Sequence, residues 1–99
     1  MKKRAEAELR WFRIEEGGRQ ILPTGPRFVT VARFERQERL SGDDWSLVIT
    51  FTTNPNAERC HRAQVEFLVE AAPHALLQPG TRFWLMEGAR TVAEGIITF

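Results

Sequence analysis

The chain has little of several residue types that mark particular classes of protein. Among its 99 residues there are one cysteine, Cys60, two histidines and no tyrosine. A single cysteine cannot form an intrachain disulfide, which favours a reducing compartment. No apolar run approaches the roughly 20 residues that a membrane-spanning helix needs. Glu6 and Glu8 stand where a signal peptide would be apolar. We therefore expect a cytoplasmic protein that does not associate with membranes.

An excess of charge of one sign is also missing. The 14 basic and 13 acidic residues leave a net charge of +1, so no global field attracts the chain to nucleic acid or to a membrane surface. Apolar residues make up 42% of the chain and charged residues 27%, which is typical of a soluble globular protein. Two domains of half this length would each be too small to bury a core. The sequence therefore predicts a single domain spanning residues 1–99.

The hydrophobic pattern is that of β-strands. The clearest example is Trp45, Leu47, Ile49 and Phe51, four large apolar residues at every second position. Similar alternation predicts six strands, near residues 5–11, 28–34, 45–51, 63–69, 83–86 and 91–99. Six short strands without a convincing helix predict an all-β fold, either a closed barrel or a sandwich. Closure is favoured because it removes exposed strand edges.

The segments between the strands carry the signals of turns and loops. Gly and Pro clusters predict turns or loops near 15–19, 23–26, 41–44, 54–56, 78–80 and 87–90. Pro73 favours a single helical turn around 75–77. The apolar phase shifts after Trp11, which suggests a bulge or a twist there. Gly95, inside the last strand, indicates a bulge or a close backbone approach.

The residue patterns of metal, nucleotide and nucleophilic sites are largely missing. No CxxC, HxH or HExxH motif occurs, and His61 adjoins Cys60, so their side chains would point to opposite faces of a strand. No GxxxxGK[ST] loop is available for a nucleotide phosphate. Cys60 with His74 is the one candidate pair of nucleophile and base, and their spacing does not place them together. We expect a protein without enzymatic activity, metal, nucleotide or other cofactor.

Seven Phe and three Trp are the remaining candidates for a binding surface. Trp11 lies among arginines and Trp84 follows Arg82-Phe83, an arrangement in which exposed rings could stack on nucleic-acid bases. The alternative is that large rings fill the interior of a small barrel. For Trp45 the pattern favours the core. For Trp11 and Trp84, the position in the alternating pattern is consistent both with an exposed binding residue and with a core residue.

Two segments carry a family resemblance. Residues 6–19 end in Glu-Gly-Gly-Arg, and residues 79–99 contain Arg-Phe and then Glu-Gly-Ala-Arg-Thr-Val before a run of β-branched residues. Both resemble the C-terminal (third) domain of the elongation factor Tu and elongation factor 1A family, here as a stand-alone domain. The resemblance implies a closed six-stranded antiparallel β-barrel. It also implies contact with a protein partner or with the T stem of tRNA, as that domain makes in the family.

Two targets remain open for such a stand-alone, non-catalytic binding module. The resemblance places an RNA-contacting surface at the two matching turns, where Arg19 and Gly88 occupy matching positions. The full set of candidate RNA-contacting residues is Arg13, Arg19, Gln20, Arg27, Gly88 and Arg90. A protein partner, or self-association, would instead use Trp11, Trp84 or Met86 as an anchor. We favour the protein target, because Gln20, Met86 and Ala89 replace the His, Arg and Gly of the family's turns and the net charge is only +1.

Overall fold

The computed structural model describes residues 3–35 and 45–99, which form six antiparallel β-strands. The strands are β1 (Ala5–Trp11), β2 (Arg27–Phe34), β3 (Trp45–Phe51), β4 (Cys60–Phe67), β5 (Arg82–Glu87) and β6 (Arg90–Ile97). Short 3₁₀ turns occupy Ile14–Glu16 and His74–Leu76, the second close to the helical turn predicted near 75–77. The loop predicted at 41–44 lies outside the described residues.

The strands close into a barrel in the order β1-β4-β3-β2-β5-β6, with β1 paired to β6. Leu9 shows the closure directly, because it lies opposite His61 of β4 on one side and Gly95 of β6 on the other. The prediction of an all-β, closed six-stranded antiparallel β-barrel is therefore confirmed. Within the described residues, no helix is both long and apolar enough to cross a membrane.

The barrel core comes from the alternating residues of every strand. In β1, Ala5, Ala7, Leu9 and Trp11 are buried while the residues between them face outward. In β3, Leu47 and Ile49 are fully buried and Trp45 and Phe51 pack against the core from its two ends. The inward-facing side chains of the described strands pack against one another as the hydrophobic core of the barrel.

Two local predictions are corrected by the structure. The phase shift after Trp11 is the end of β1 and not a bulge, since the chain turns into Ile14–Glu16. The bulge lies instead between Leu85 and Met86, where the register against β6 skips Val92. The carbonyl group of Val92 then accepts a hydrogen bond from the Phe12 amide at 2.9 Å. This hydrogen bond continues the β1–β6 register by one residue beyond Trp11 and Ala93, and it holds the start of the loop after β1.

Gly95 is neither a bulge nor a site of close backbone approach, because the group that lies close to it is a side chain. A Cβ atom built on this residue would lie 2.3 Å from Cζ of Phe83, a ring buried in the core. Any side chain at position 95 would therefore displace the Phe83 ring, which explains a glycine in the middle of a strand.

The two ends of the barrel differ in how they are built. We call one the loop end, formed by the connections 12–26, 52–59 and 88–89. The other is the terminal end, formed by residues 3–4, the connection 68–81 and residues 98–99. Aromatic rings close the terminal end. Phe34 stacks on Phe83 with centroids 5.3 Å apart and contacts Phe67 at 5.4 Å.

Candidate functional site

The structure brings the candidate RNA-contacting residues to one end of the barrel. Arg13, Arg19 and Gln20 lie in the 12–26 loop, Arg27 begins β2, and Gly88 and Arg90 form the turn into β6. All of these positions belong to the loop end, although they span most of the sequence. Strand pairing around the closed barrel is what gathers them.

The 12–26 loop is held in a defined conformation. The Arg13 amide donates to the Glu16 carboxylate at 2.9 Å, and the Gly18 amide donates to the Arg13 carbonyl at 2.9 Å. Gly17 has a φ of 92°, which a glycine adopts without steric cost. A Cβ on Gly18 would lie 1.9 Å from the Phe12 carbonyl oxygen, so this turn requires glycine. The Glu-Gly-Gly-Arg motif thus has a local structural reason for both glycines.

Arg19 holds the loops together and is not a free surface charge. Its guanidinium pairs with Glu87, donates from Nε to the Ile21 carbonyl at 2.9 Å, and lies 5.5 Å from the Phe28 ring centroid. The Arg19 carbonyl accepts a hydrogen bond of 2.6 Å from the Arg59 guanidinium. Arg19 thereby links the 12–26 loop to the 52–59 loop and to the end of β5.

Arg59 is a part of this site that the sequence analysis missed. It is the one described non-glycine residue with positive φ, at 65°, and its carbonyl accepts the Trp11 amide at 3.0 Å. The Asn56 side chain supports this conformation by accepting amide hydrogen bonds from Glu58 and Cys60, at 3.0 and 2.9 Å. The Asn-Pro-Asn sequence was a visible turn signal. The partner of the Arg59 side chain could be found only in three dimensions.

The loop-end cations fall into two groups. Arg19 and Arg90 share the carboxylate of Glu87, the second at 3.4 Å. Arg13 and Arg27 are exposed and have no ion pair within the part of the chain that the structure describes. Only the second group is available to an outside anion without breaking an internal contact.

Arg10 fastens the outer edge of the same end. It pairs with Glu16 at 3.0 Å and with Glu94 at 2.8 Å, and its guanidinium lies 5.0 Å from the Phe12 ring centroid. Hydrogen bonds to Glu16 and Glu94 raise the pKa of Arg10 above its ordinary value. Hydrogen bonds from the Arg10 side chain, and then from the Arg13 amide, lower the pKa of Glu16. These ion pairs are partly exposed to solvent, so each contributes little to stability.

Two of the three residues predicted as interface anchors are buried. Trp11 is 0% exposed inside the barrel, and Met86 is 4% exposed. The Thr91 hydroxyl lies 3.3 Å from the Met86 sulfur. Neither side chain has exposed surface for an external partner, so their assignment as exposed anchors is corrected. Trp84 is half-buried on the outer wall, beside a groove of about 120 Å³ that Glu8, Arg82 and Ile96 also line.

Large apolar side chains are nevertheless exposed at the loop end. Ile14 is 59% exposed and Ile21 is 71% exposed, and both lie in the 12–26 loop. The sequence offered a weak signal for them, since each is an isolated aliphatic residue among polar and turn-forming residues. Whether such a residue covers the barrel end or projects from it depends on the path of the loop, which the sequence alone does not show.

Cys60 and His74 are not brought together. Cys60 begins β4 at the loop end, whereas His74 follows that strand at the terminal end. The Cys60 sulfur lies 3.6 Å from the Glu58 carbonyl, and Nε2–H of His74 donates to the Glu70 carbonyl at 2.7 Å. In residues 3–35 and 45–99, no three His, Cys, Asp or Glu side chains converge as metal ligands would.

Comparison with protein-family models finds none that matches this chain, and comparison with curated proteins finds no match. The resemblance to the third domain of the elongation factor Tu family therefore stays a prediction carried by residues 6–19 and 79–99. The fold and the geometry of the loop end stand independently of it.

Proposed function

We propose that this barrel is a non-catalytic binding module that engages a protein partner through the loop end. One observation carries the proposal: Ile14 and Ile21, 59% and 71% exposed, project from a loop that internal hydrogen bonds and ion pairs hold in place. Exposed aliphatic side chains on a preorganised loop lose little conformational entropy on binding. The resemblance to the elongation factor domain, which binds partners in that family, supports the same class of function.

The polar surroundings of the two isoleucines fit a protein interface. Arg13 and Arg27 are exposed without ion pairs in the described residues, and Glu15 is also exposed. Interfaces commonly place apolar anchors at the centre and charged residues of both signs at the rim. Because the mixed charges leave no strong net field at this end, apolar contact has to supply most of the affinity.

A photo-crosslinking amino acid placed at position 21 tests this proposal. In extract of the host cells, we expect one discrete adduct that protease removes and nuclease leaves intact. Excess unlabelled wild-type protein should suppress the adduct, whereas the Ile14→Ser variant should compete poorly. Because Ile14 is exposed, the free energy of unfolding of that variant should lie within about 0.5 kcal/mol of the wild-type value.

Position 99 provides the matched control, since Phe99 is 77% exposed but lies at the terminal end. The same crosslinker there should give no corresponding adduct. Equal adducts from both positions, or none from position 21, would overturn the assignment of the interface to the loop end.

Structured RNA is the second candidate, favoured by exposed Arg13 and Arg27, which have no ion pair with any described residue, and by exposed Gln20 at this same end. Retention on tRNA should then weaken steeply with salt, since each neutralised phosphate releases counterions. Arg27→Gln should reduce the slope of log affinity against log salt by about 1. No retention at low salt would remove this candidate, and a nuclease-sensitive adduct at position 21 would favour it over the protein partner.

A further inference from the structure

The buried pair Trp11 and His61 constrains the protonation of one imidazole. Nε1–H of Trp11 donates to Nε2 of His61 at 2.7 Å, so Nε2 must carry a lone pair. In a neutral ring the proton then resides on Nδ1, which lies 3.1 Å from the Thr53 carbonyl and donates to it. The Trp11 side chain is 0% exposed and His61 is 7% exposed, so water cannot readily replace either partner. Only the neutral Nδ1–H tautomer satisfies both hydrogen bonds.

Uncharged groups surround the His61 ring. It stacks on Phe51 of β3, with centroids 4.6 Å apart and planes 18° apart, and contacts the Trp11 ring of β1 at 6.3 Å. Several titratable or charged residues lie near the His61 ring on β1, on β4 and in the 52–59 loop. They are Glu8, Arg10, Glu58, Arg59, Cys60 and Arg62. By strand alternation the strand members of this set face outward. The Arg59 guanidinium is held at the Arg19 carbonyl, and Glu58 is exposed. Among the described residues, no carboxylate contacts the ring to stabilise a positive charge on it.

The hydrogen bonds of His61 join parts of the loop end that are far apart in sequence. The Thr53 carbonyl belongs to the 52–59 loop, and Trp11 is the last residue of β1. The Trp11 amide also donates to the Arg59 carbonyl, and Arg59 in turn holds the Arg19 carbonyl. A change at His61 therefore reaches both the 52–59 loop and the 12–26 loop through direct contacts.

We propose that His61 is a proton-sensitive latch of the loop end. The neutral ring ties Trp11 to the 52–59 loop. A proton taken up from water forms an Nε2–H bond, which replaces the acceptor by a donor facing the indole N–H. The hydrogen bond to Trp11 is then lost, and the 12–26 and 52–59 loops loosen while the strands remain paired. This inference does not depend on the proposed function, because it concerns the order of the loops and not what they bind.

The direction of the pH dependence follows from burial. Desolvation lowers the pKa of His61, and the hydrogen bond to Thr53 raises it by less. The folded state therefore binds this proton less well than the unfolded chain, whose histidines titrate near about 6.5. The hydrogen bonds of neutral His61 contribute fully to the free energy of unfolding above that pH. Their contribution is lost as the pH falls from about 6.5 to the lower pKa of folded His61.

Nitrogen-15 NMR of the two histidine rings in the wild-type chain at pH 8 tests the geometry without any substitution. We expect the Nδ1–H tautomer for His61, with a Trp11 indole proton strongly protected from exchange. An Nε2–H tautomer at His61 would overturn the proposal.

Denaturation between pH 8 and pH 5.5 tests the latch itself. Below about pH 6.5, the ratio of folded to unfolded wild-type protein should fall by up to about tenfold per pH unit. His61→Gln retains a carbonyl acceptor for Trp11 and an amide donor for Thr53 but does not titrate, so its profile should be flatter. His74→Gln is the matched control, since it removes the other histidine, and it should keep the wild-type slope.

Hydrogen-exchange protection factors locate the change. From pH 8 to pH 5.5, protection should fall in residues 12–26 and 52–59 of the wild type before it falls in the strands. The same slope in His61→Gln as in the wild type, or a uniform loss of protection over the whole barrel, would overturn the proposal. If His61→Gln does not fold, the tautomer and the exchange pattern of the wild type still decide the question.

Discussion

The loop end and the terminal end close the same barrel in different ways. At the loop end, a buried Trp11–His61 hydrogen bond and the contacts of Arg19 tie the connections together. At the terminal end, rings fill the opening, with Phe67 packed against Phe34 and against the edge of His74. Hydrogen bonds and ion pairs fix a geometry because they are directional, whereas apolar packing depends mainly on the area removed from water. Rings also pack at the loop end, where Trp11 contacts Phe28 and Phe51. Both ends therefore share apolar packing, and the loop end adds directional contacts that give it a fixed shape.

The largest expected effect comes from the terminal end. Phe67→Ala removes a fully buried ring and leaves a cavity among its neighbours, so we expect a loss of about 3–5 kcal/mol in the free energy of unfolding. Urea denaturation measures this loss. Phe99→Ala, at an exposed ring of the same end, should change stability by less than about 0.5 kcal/mol. A loss below about 1 kcal/mol in the free energy of unfolding for Phe67→Ala would contradict the interpretation that packed rings stabilise the terminal end.

An intermediate effect is expected in the 12–26 loop. In Gly18→Ala the new Cβ meets backbone atoms of Phe12 that cannot move without shifting the loop, so we expect a loss of about 1–3 kcal/mol. Gly25→Ala in the same loop places its Cβ at an ordinary 3.7 Å from the Arg27 carbonyl oxygen and should be near neutral. Chemical-shift changes in Gly18→Ala that are confined to the loop end would show that the substitution alters the loop and leaves the terminal end unchanged. Equal costs for the two glycines would contradict it.

The smallest effect concerns the shared carboxylate. Glu87→Gln removes the ionic partner of both Arg19 and Arg90, in contacts that are partly exposed, so we expect a loss of about 0–1 kcal/mol at low salt. The difference from wild type should shrink as salt is added, because salt screens such pairs. Glu66→Gln, whose partner Arg4 is 3.5 Å away and largely exposed, should cost less. A loss above about 2 kcal/mol for Glu87→Gln would show that the ionic contacts carry more of the stability than the comparison assigns them.

The sequence revealed those features that depend on local spacing. Leu47 and Ile49 belong to a row of large apolar residues at every second position, and Gly95 interrupts an apolar strand, so a period of two and a missing side chain were enough to interpret them. Trp11 lies where the alternation of apolar residues along the chain changes. The sequence alone therefore did not show whether its side chain faces the core or the solvent. Its partner His61 is 50 residues away, and only the closed barrel places the two rings together.

The candidate site was predictable as a location but not as a set of contacts. The matching turns indicated the end of the barrel to which Arg19 and Gly88 belong. Arg19 and Glu87 pair although they lie 68 residues apart in the sequence. This pairing determines which arginines remain free to bind an external anion. The exposure of Ile14 and Ile21 likewise depends on the path of the 12–26 loop, which long-range contacts set.

Pairing of β1 with β6 also brings the start of the first strand beside the end of the last. The Thr98 amide donates to the Glu6 carbonyl at 2.8 Å, and the Glu6 amide donates to the Phe99 carbonyl at 3.1 Å. A short linker can therefore connect residue 99 to residue 3, and the chain can be reopened at the Gly88-Ala89 turn to give a circular permutant with the same strand neighbours. For the same reason, a tether attached at either of these residues would lie at the terminal end, opposite the loop that carries Ile14 and Ile21.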